Sequence, residues 1–279
     1  MLTLELKDFD IEQIADSGQC FRMYRVEDDM WEIFALDRFL KIQKKNECHV
    51  FYCDRKEFDD FWFNYFDLQT DYSEIKRRIF TTNDKYLVEA VNFGSGLRIL
   101  RQDLWEVIVS FIISQQNNIP RIKSCLKKLC EINGEKFPTS NDFLSFRDKD
   151  LDSVKLGYRK NYLLKISESV SNGIFDLEKL KKMNYLEAVK YLKTLHGVGD
   201  KVANCITLFG MYKIEAFPID VWIKRILETR YHNDFLLKRW NLQDIGGIVQ
   251  QYMFFYERRL KNKKTCFPDV ALNDCASLI

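Results

Sequence analysis

The sequence predicts an α+β chain: a small antiparallel sheet at the N-terminus, then a helical body. Three observations carry this. Apolar and polar residues alternate along Leu2–Leu6, the period of a half-buried strand, and Met30–Lys45 reads as further short strands. From about Tyr72 onward apolar residues recur at helical spacing and strand patterns almost vanish. Leu104–Ile113 is apolar at eight of ten positions, too short to span a membrane, and so reads as a buried helix.

In chain order, LTLEL, MWEIFALDRFLKIQKK and CHVFYC supply the strands, so the first 65 or so residues look β-rich. The polar cluster Glu27-Asp28-Asp29 marks a turn between them. In the second part, helices break at Asn133-Gly134, Pro138, Gly157, Gly173, Gly197–Gly199 and Pro218. The expected division is a sheet domain over residues 1–75 and a helical body over 76–279.

Composition bounds the function. A chain of 279 residues, 46% hydrophobic and 14% aromatic, buries a substantial core and is long enough for about two domains, which excludes wholesale disorder. Its 43 basic and 41 acidic residues give a net charge of only +2, so any nucleic-acid footprint must be local. The first ten residues show no basic region followed by an apolar stretch, and nowhere do 18 apolar residues run together, so neither a secretory signal nor a membrane span is expected. The eight cysteines form no Cys-x-x-Cys pair, and Cys125 and Cys130 have no partner pair at zinc spacing. Reduced thiols and no metal or other cofactor are expected.

The stretch Leu195-His196-Gly197-Val198-Gly199-Asp200-Lys201 carries chemistry. An apolar helical segment, Tyr185–Leu195, enters a Gly-x-Gly turn and a second helix leaves it, placing a helix-hairpin-helix near 185–212. Glycines permit positive φ and close backbone approach. The unpaired amides at the new helix start can hold one phosphate. The same turn also serves as a plain connection between two helices. Lys201 lies in the first turn of that helix, where the dipole disfavours an ammonium and favours the neutral, nucleophilic amine. Seventeen residues later comes Pro218-Ile219-Asp220. Asp220 is a plausible N-cap for an apolar helical pattern formed by Val221, Ile223, Ile226 and Leu227. Gly-x-Gly-x-Lys followed at this distance by Pro-x-Asp is much rarer than either part.

With these motifs the chain resembles the helix-hairpin-helix DNA glycosylases that carry a Gly-Pro-Asp signature. Within them it is similar to the 8-oxoguanine DNA glycosylases of the eukaryotic type. The resemblance spans nearly the whole chain. It rests on Ser17-Gly18-Gln19-Cys20-Phe21-Arg22, Tyr65-Phe66-Asp67-Leu68, Gly96-Leu97-Arg98-Ile99-Leu100-Arg101-Gln102-Asp103, Asn117-Asn118-Ile119-x-Arg121-Ile122, Leu156-Gly157-Tyr158-Arg159 and the hairpin. It implies a helical glycosylase body with a catalytic Asp loop at 217–222.

The resemblance also implies roles. Lys201 is the nucleophile at the sugar C1′, forming a Schiff base that permits β-elimination. Asp220 stabilises positive charge on the sugar. Gly197, Val198 and Gly199 grip phosphate. Gly18, Cys205, Gln250 and Phe254 form the base pocket, which receives a nucleotide turned out of the stack. The Gly18 carbonyl accepts the extra N7–H of 8-oxoguanine, where guanine itself offers an acceptor. Gln116, Asn117, Arg121, Tyr158 and Arg159 meet the opposite strand, with Tyr158 as wedge and the arginines on the orphaned cytosine. Each has a plainer reading from the residues alone: Cys205 as a small core residue, Phe254 as core at helical spacing, the arginines as solvated charges.

Two positions depart from the family pattern. Its three asparagines become Gln116-Asn117-Asn118, and its histidine two after the aspartate becomes Trp222, which puts opposite-base selectivity and the 5′ phosphate contact in question. Basic runs at Lys155, Arg159, Lys160 and Lys165, and at Arg258, Arg259, Lys261, Lys263 and Lys264, agree with DNA binding.

The partner implied is double-stranded DNA containing oxidised guanine, met by a monomer. The compartment implied is a bacterial or archaeal cytoplasm with the chromosome, or the nucleus of a eukaryote. The rivals are a glycosylase for alkylated purines, which uses water in place of Lys201, and a non-catalytic DNA-binding scaffold that keeps only the hairpin. A thymine-glycol or mismatched-adenine enzyme would bring a C-terminal cysteine cluster, which the sequence lacks.

Overall fold

The structure, a computed structural model, describes residues 1–232 and 237–266, with side chains to residue 260. Five strands, β1 (Leu2–Glu5), β2 (Met23–Glu27), β3 (Met30–Ala35), β4 (Arg38–Lys45) and β5 (Cys48–Phe51), form one antiparallel sheet in the order β1-β5-β4-β3-β2. The register pairs Trp31 with Ile42 and Ile33 with Leu40, all four buried, so one face of the β3–β4 hairpin belongs to the core.

Two helical pieces lie inside the stretch expected to be β-rich. The first is α1 (Ile11–Asp16), whose start is capped by Asp10 accepting from the Glu12 and Gln13 amides. The second covers residues 55–65: α2 (Arg55–Glu57), a π-helical turn (Phe58–Trp62) and α3 (Phe63–Tyr65). Its aromatic run reads as strand by composition. Phe58, Trp62 and Tyr65 nevertheless fall at helical spacing, so their rings share one buried face. Phe58 meets Phe51 of the sheet edge-on at 5.0 Å, and Phe66 meets Phe9 at 5.4 Å.

The body follows as α4 (Tyr72–Phe80), α5 (Lys85–Phe93), α6 (Leu104–Ser114), α7 (Ile119–Ile132), α8 (Ser140–Ser145), α9 (Asp148–Ser153), α10 (Arg159–Ser171), α11 (Leu177–Lys181), α12 (Tyr185–Leu192), α13 (Asp200–Gly210), α14 (Val221–Arg230) and α15 (Gly246–Cys266). The expected buried helix is α6, capped by Asp103. It packs on α13, where Phe111 stacks on Phe209 at 5.4 Å. The expected breaks all fall between helices.

The family-like motifs build the seam between sheet and body. The Arg98 guanidinium donates to the carbonyls of Lys7, Asp8 and Asp67. Arg101 pairs with the buried Asp67 at 2.8 Å. Arg22, on the sheet side, pairs with Glu106 of α6 at 3.0 Å, both buried. Burial pushes the Glu106 carboxyl up, against the pull of Arg22 and the Leu36 amide. Breaking such a pair from one side costs about 3–5 kcal/mol, because a buried charge is left alone. This seam brings Gly18 up to the helical body.

Candidate active site

One cleft of about 960 Å³ collects residues from five separated segments: Gly18, the loop after α6, the start of α13, Ile219–Trp222, and Phe254 of α15. Each is delivered by local structure.

The hairpin's two glycines differ in role. Gly197 has φ +81, and a Cβ there would lie 2.4 Å from Cδ2 of Tyr162. The fold itself requires this glycine. Gly199 has extended backbone and open space where a Cβ would be. No side chain caps the start of α13, so its first amides face the cleft side unclaimed. Val198 is buried and anchors the turn.

Lys201, in the first turn of α13, lines the cleft with its Nζ 5.4 Å from the centre of the Phe111 ring. Cys205, one turn on, is buried behind it and lies outside the cleft lining. Burial pushes the Cys205 thiol up to about 11, opposed by the neighbouring Lys201 charge and hydrogen bond. Asp220 caps α14: its Oδ1 accepts from the amides of Trp222 and Ile223 at 3.0 and 2.9 Å. Burial raises its carboxyl above the usual range, while the two amides and the Lys201 charge pull it back. Capping uses one carboxylate oxygen. Lys201 and Asp220 thus share one cleft although each sits at a different helix start.

The Ser17–Arg22 motif is a frame around Gly18. Ser17 Oγ donates to the Ile14 carbonyl, and Gln19 bonds to Ser17, to the Arg98 carbonyl and to the Leu100 amide. Gly18 sits at φ +78, and a Cβ on it would reach 3.2 Å from the Phe254 ring. Gln251 ties the frame to α15 by donating to the Ser17 carbonyl at 2.7 Å. Gln250, one turn before Phe254, is 4% exposed and also lies outside the cleft lining. Its Oε1 has no hydrogen-bond partner among the described residues. A buried acceptor left alone costs about 1–3 kcal/mol.

The opposite wall is the loop between α6 and α7. Gln116 adopts φ +46, Asn117 donates to the Ile113 carbonyl at 3.0 Å, and Asn118 caps α7. Tyr158 is 45% exposed. Arg121 is exposed and donates to the Lys155 carbonyl at 3.2 Å. Arg159, by contrast, is only 6% exposed. Its guanidinium is turned onto the carbonyls of Gln115, Gln116 and Leu156, so it braces the loop.

The basic runs are less free than the sequence reads. Lys160 pairs with Asp148 and Asp152, and Arg258 and Arg259 both pair with Asp16. The side chains of Lys261, Lys263 and Lys264, like Cys275, lie outside the described residues. Three cleft features escaped the sequence reading. Gln115 carries no motif signal. Ile219 and Val221 are exposed at 50% and 78% beside Asp220. The apolar pattern expected of α14 includes Val221, but the first helical position after the cap points away from the face that Ile223 and Ile226 bury. Trp222 was noted only as a departure, and it lines the cleft. No helix of the described residues is long and apolar enough to cross a membrane.

Residues 1–108 match the model of the 8-oxoguanine DNA glycosylase N-terminal domain, and residues 109–234 match that of the HhH-GPD superfamily base excision DNA repair proteins. The 8-oxoguanine glycosylase/lyase of Clostridium acetobutylicum in its apo form is 38% identical, with 90% of this chain and 94% of that chain covered and a TM-score of 0.82. The same enzyme with double-stranded DNA containing cytosine opposite 8-oxoguanine is 37% identical, covering 91% and 93%, with a TM-score of 0.83. A probable N-glycosylase/DNA lyase of Methanothermobacter thermautotrophicus is 28% identical over 92% of this chain and 96% of its own length. The 3-methyladenine DNA glycosylase of Archaeoglobus fulgidus, 20% identical with a TM-score of 0.72, shares the fold alone. Sheet domain, hairpin, Lys201 and Asp220 together with these matches place the chain in the HhH-GPD superfamily, among the 8-oxoguanine DNA glycosylases.

Proposed function

We propose that the protein releases 8-oxoguanine from duplex DNA, preferably opposite cytosine, and then nicks the strand. The observation that carries this reading is the meeting of Lys201 and Asp220 in one cleft walled by Gly18 and Phe254. The flipped base enters the cleft that Gly18 and Phe254 line, and the Phe254 ring, which lies in contact with Gly18, turns aside to admit it. Guanine-type bases present N1–H and N2–H₂ donors on their pairing edge. The partnerless acceptor Gln250 Oε1 suits such a donor.

Attack of the Lys201 nitrogen on C1′ breaks the C1′–N9 bond, whose electron pair leaves with the base, and the base takes up the proton that the attacking nitrogen sheds. Asp220, carrying negative charge beside the sugar, stabilises the cationic transition state. The sugar ring then opens to a protonated imine on Lys201. Loss of a C2′ proton expels the 3′ phosphate. The unclaimed amides at the start of α13, beside the open space at Gly199, suit a backbone phosphate. The reading takes the protein as a single chain working wherever the chromosome lies.

The test is cleavage of duplexes carrying 8-oxoguanine opposite each base, with borohydride to trap the imine. Lys201→Gln should keep DNA binding and lose base release and trapping. Normal trapping in that variant, or release of 3-methyladenine without trapping by the wild type, would overturn the reading.

A further inference from the structure

Gln115 bridges two parts of the site. Its Nε2 donates to the Gly197 carbonyl at 3.1 Å, linking the end of α6 to the turn that feeds Lys201. Its own carbonyl accepts from Arg159 Nε at 2.8 Å and from the Tyr158 hydroxyl at 3.4 Å. The same guanidinium holds the Gln116 carbonyl at 3.0 Å. A parallel path runs through rings. Tyr158 meets Tyr162 edge-on at 5.3 Å, Tyr162 meets His196 at 5.0 Å, and Tyr162 fills the space beside Gly197. Gln116, at φ +46, occupies a left-handed backbone region that a non-glycine residue enters at a cost. The Arg159 bonds on either side of it hold it there.

Resting on the reading that this loop meets the base opposite the lesion, we propose that Gln115 is a positioning residue that relays the identity of that base to Lys201. An opposite base that satisfies the donors of the loop leaves residues 115 and 116 in the arrangement described. A poor fit draws Gln116 or Arg159 away from it. The shared Gln115 carbonyl then shifts, the bond to Gly197 lengthens, and the start of α13 with Lys201 moves off the sugar. Opposite-base preference is therefore exerted on the rate of base release as well as on binding, and Gln115 carries the rate part. Such a coupling exists only where two sites bias one shared element, and the 115–116 segment is that element.

The experiment compares Gln115→Met, of similar length without the donor, and Gln115→Glu, which sets an acceptor against the Gly197 carbonyl. Single-turnover base release and DNA affinity are measured with 8-oxoguanine opposite cytosine and opposite adenine, alongside thermal stability. Loss of one hydrogen bond should slow release opposite cytosine about fivefold. Release opposite adenine should change little, because there the link is already loosened. The cytosine-to-adenine rate ratio falls while the affinity ratio and the melting temperature hold. An equal slowing opposite both bases, or an unchanged rate ratio in both variants, would overturn the relay and leave the glycosylase reading intact. A wild-type protein that does not release 8-oxoguanine, or releases it equally opposite every base, would overturn that reading and the relay with it.

Discussion

Asp220→Asn separates two jobs that one side chain performs. As a cap, Asp220 accepts from the Trp222 and Ile223 amides through Oδ1 alone. The asparagine carbonyl oxygen can take both bonds, and asparagine ranks with aspartate as a cap. What disappears is the charge. Losing an anion at the positive end of α14 costs about 0.3–1 kcal/mol. Burial already disfavours the ionised form, as the raised carboxyl shows, so removing it returns part of that cost. Stability should therefore change by no more than about 1 kcal/mol, or about 2–4 °C in Tm for a chain of this size. The effect on chemistry is larger. A preorganised group facing developing charge is worth about 10²–10³ in rate. The sign for pH follows from the raised carboxyl. Only the ionised form stabilises the sugar cation, so the wild-type rate should fall on acidification beginning above the ordinary value of 3.8, and this limb should vanish in the variant. Urea melts and single-turnover base release on 8-oxoguanine opposite cytosine give both quantities. A wild-type rate per folded molecule in the variant would reduce Asp220 to a cap, since asparagine caps as well as aspartate and a cap alone leaves chemistry untouched.

Three further outcomes can be measured. Arg121→Ala should reduce base release opposite cytosine more than opposite adenine, by about 1–3 kcal/mol of discrimination; equal losses would make Arg121 a phosphate contact. Gly197→Ala places a methyl 2.4 Å from the Tyr162 ring at φ +81. The left-handed backbone costs about 1–2 kcal/mol and the overpacking about 1–3 more, so an unchanged urea midpoint would refute the packing account. His49, buried against Phe9 with both ring nitrogens partnerless among the described residues, is held down to about 4 by burial, against the pull of Asp10 and with the help of Lys44. The unfolded chain takes up its proton near the ordinary histidine value of 6.5, before the folded one does, so stability is full above that pH and drains away toward pH 4. At about 1.4 kcal/mol per pH unit, the loss is about 3 kcal/mol. His49→Phe should flatten the stability profile across that window, and an unaltered slope would clear His49 of the effect.

Periodicity made the long elements readable. The short strand-like runs of β3 and β4 and the mostly apolar α6 carry clear signals. The hairpin was readable because its glycines, Lys201 and Asp220 stand at rare spacing. Short elements were not. The helix α1 is six residues long, held by the Asp10 cap and by docking against the sheet, which leaves little pattern to see. In residues 55–65 the aromatic composition favours strand while the spacing of Phe58 and Trp62 favours helix, and packing against Phe51 decides. Cross-chain pairing was invisible for another reason. Nothing near Lys160 in sequence says that Asp148 and Asp152 will neutralise it, since that depends on how α9 and α10 turn. The same holds for Arg159, whose type fits an exposed charge as well as a loop brace.

The frame around Gly18 is closed by Gln251, and the wall facing it is Phe254, so the two sides of the base cavity come from opposite ends of the chain. Lys201 and Asp220 lie between them in the order of synthesis. A nascent chain thus holds Lys201 and Asp220 before it holds both walls of the cleft they share. On the proposed reading, selectivity is acquired only when α15 emerges and docks, and a break in α15 would strip discrimination from the molecule while leaving Lys201 in place.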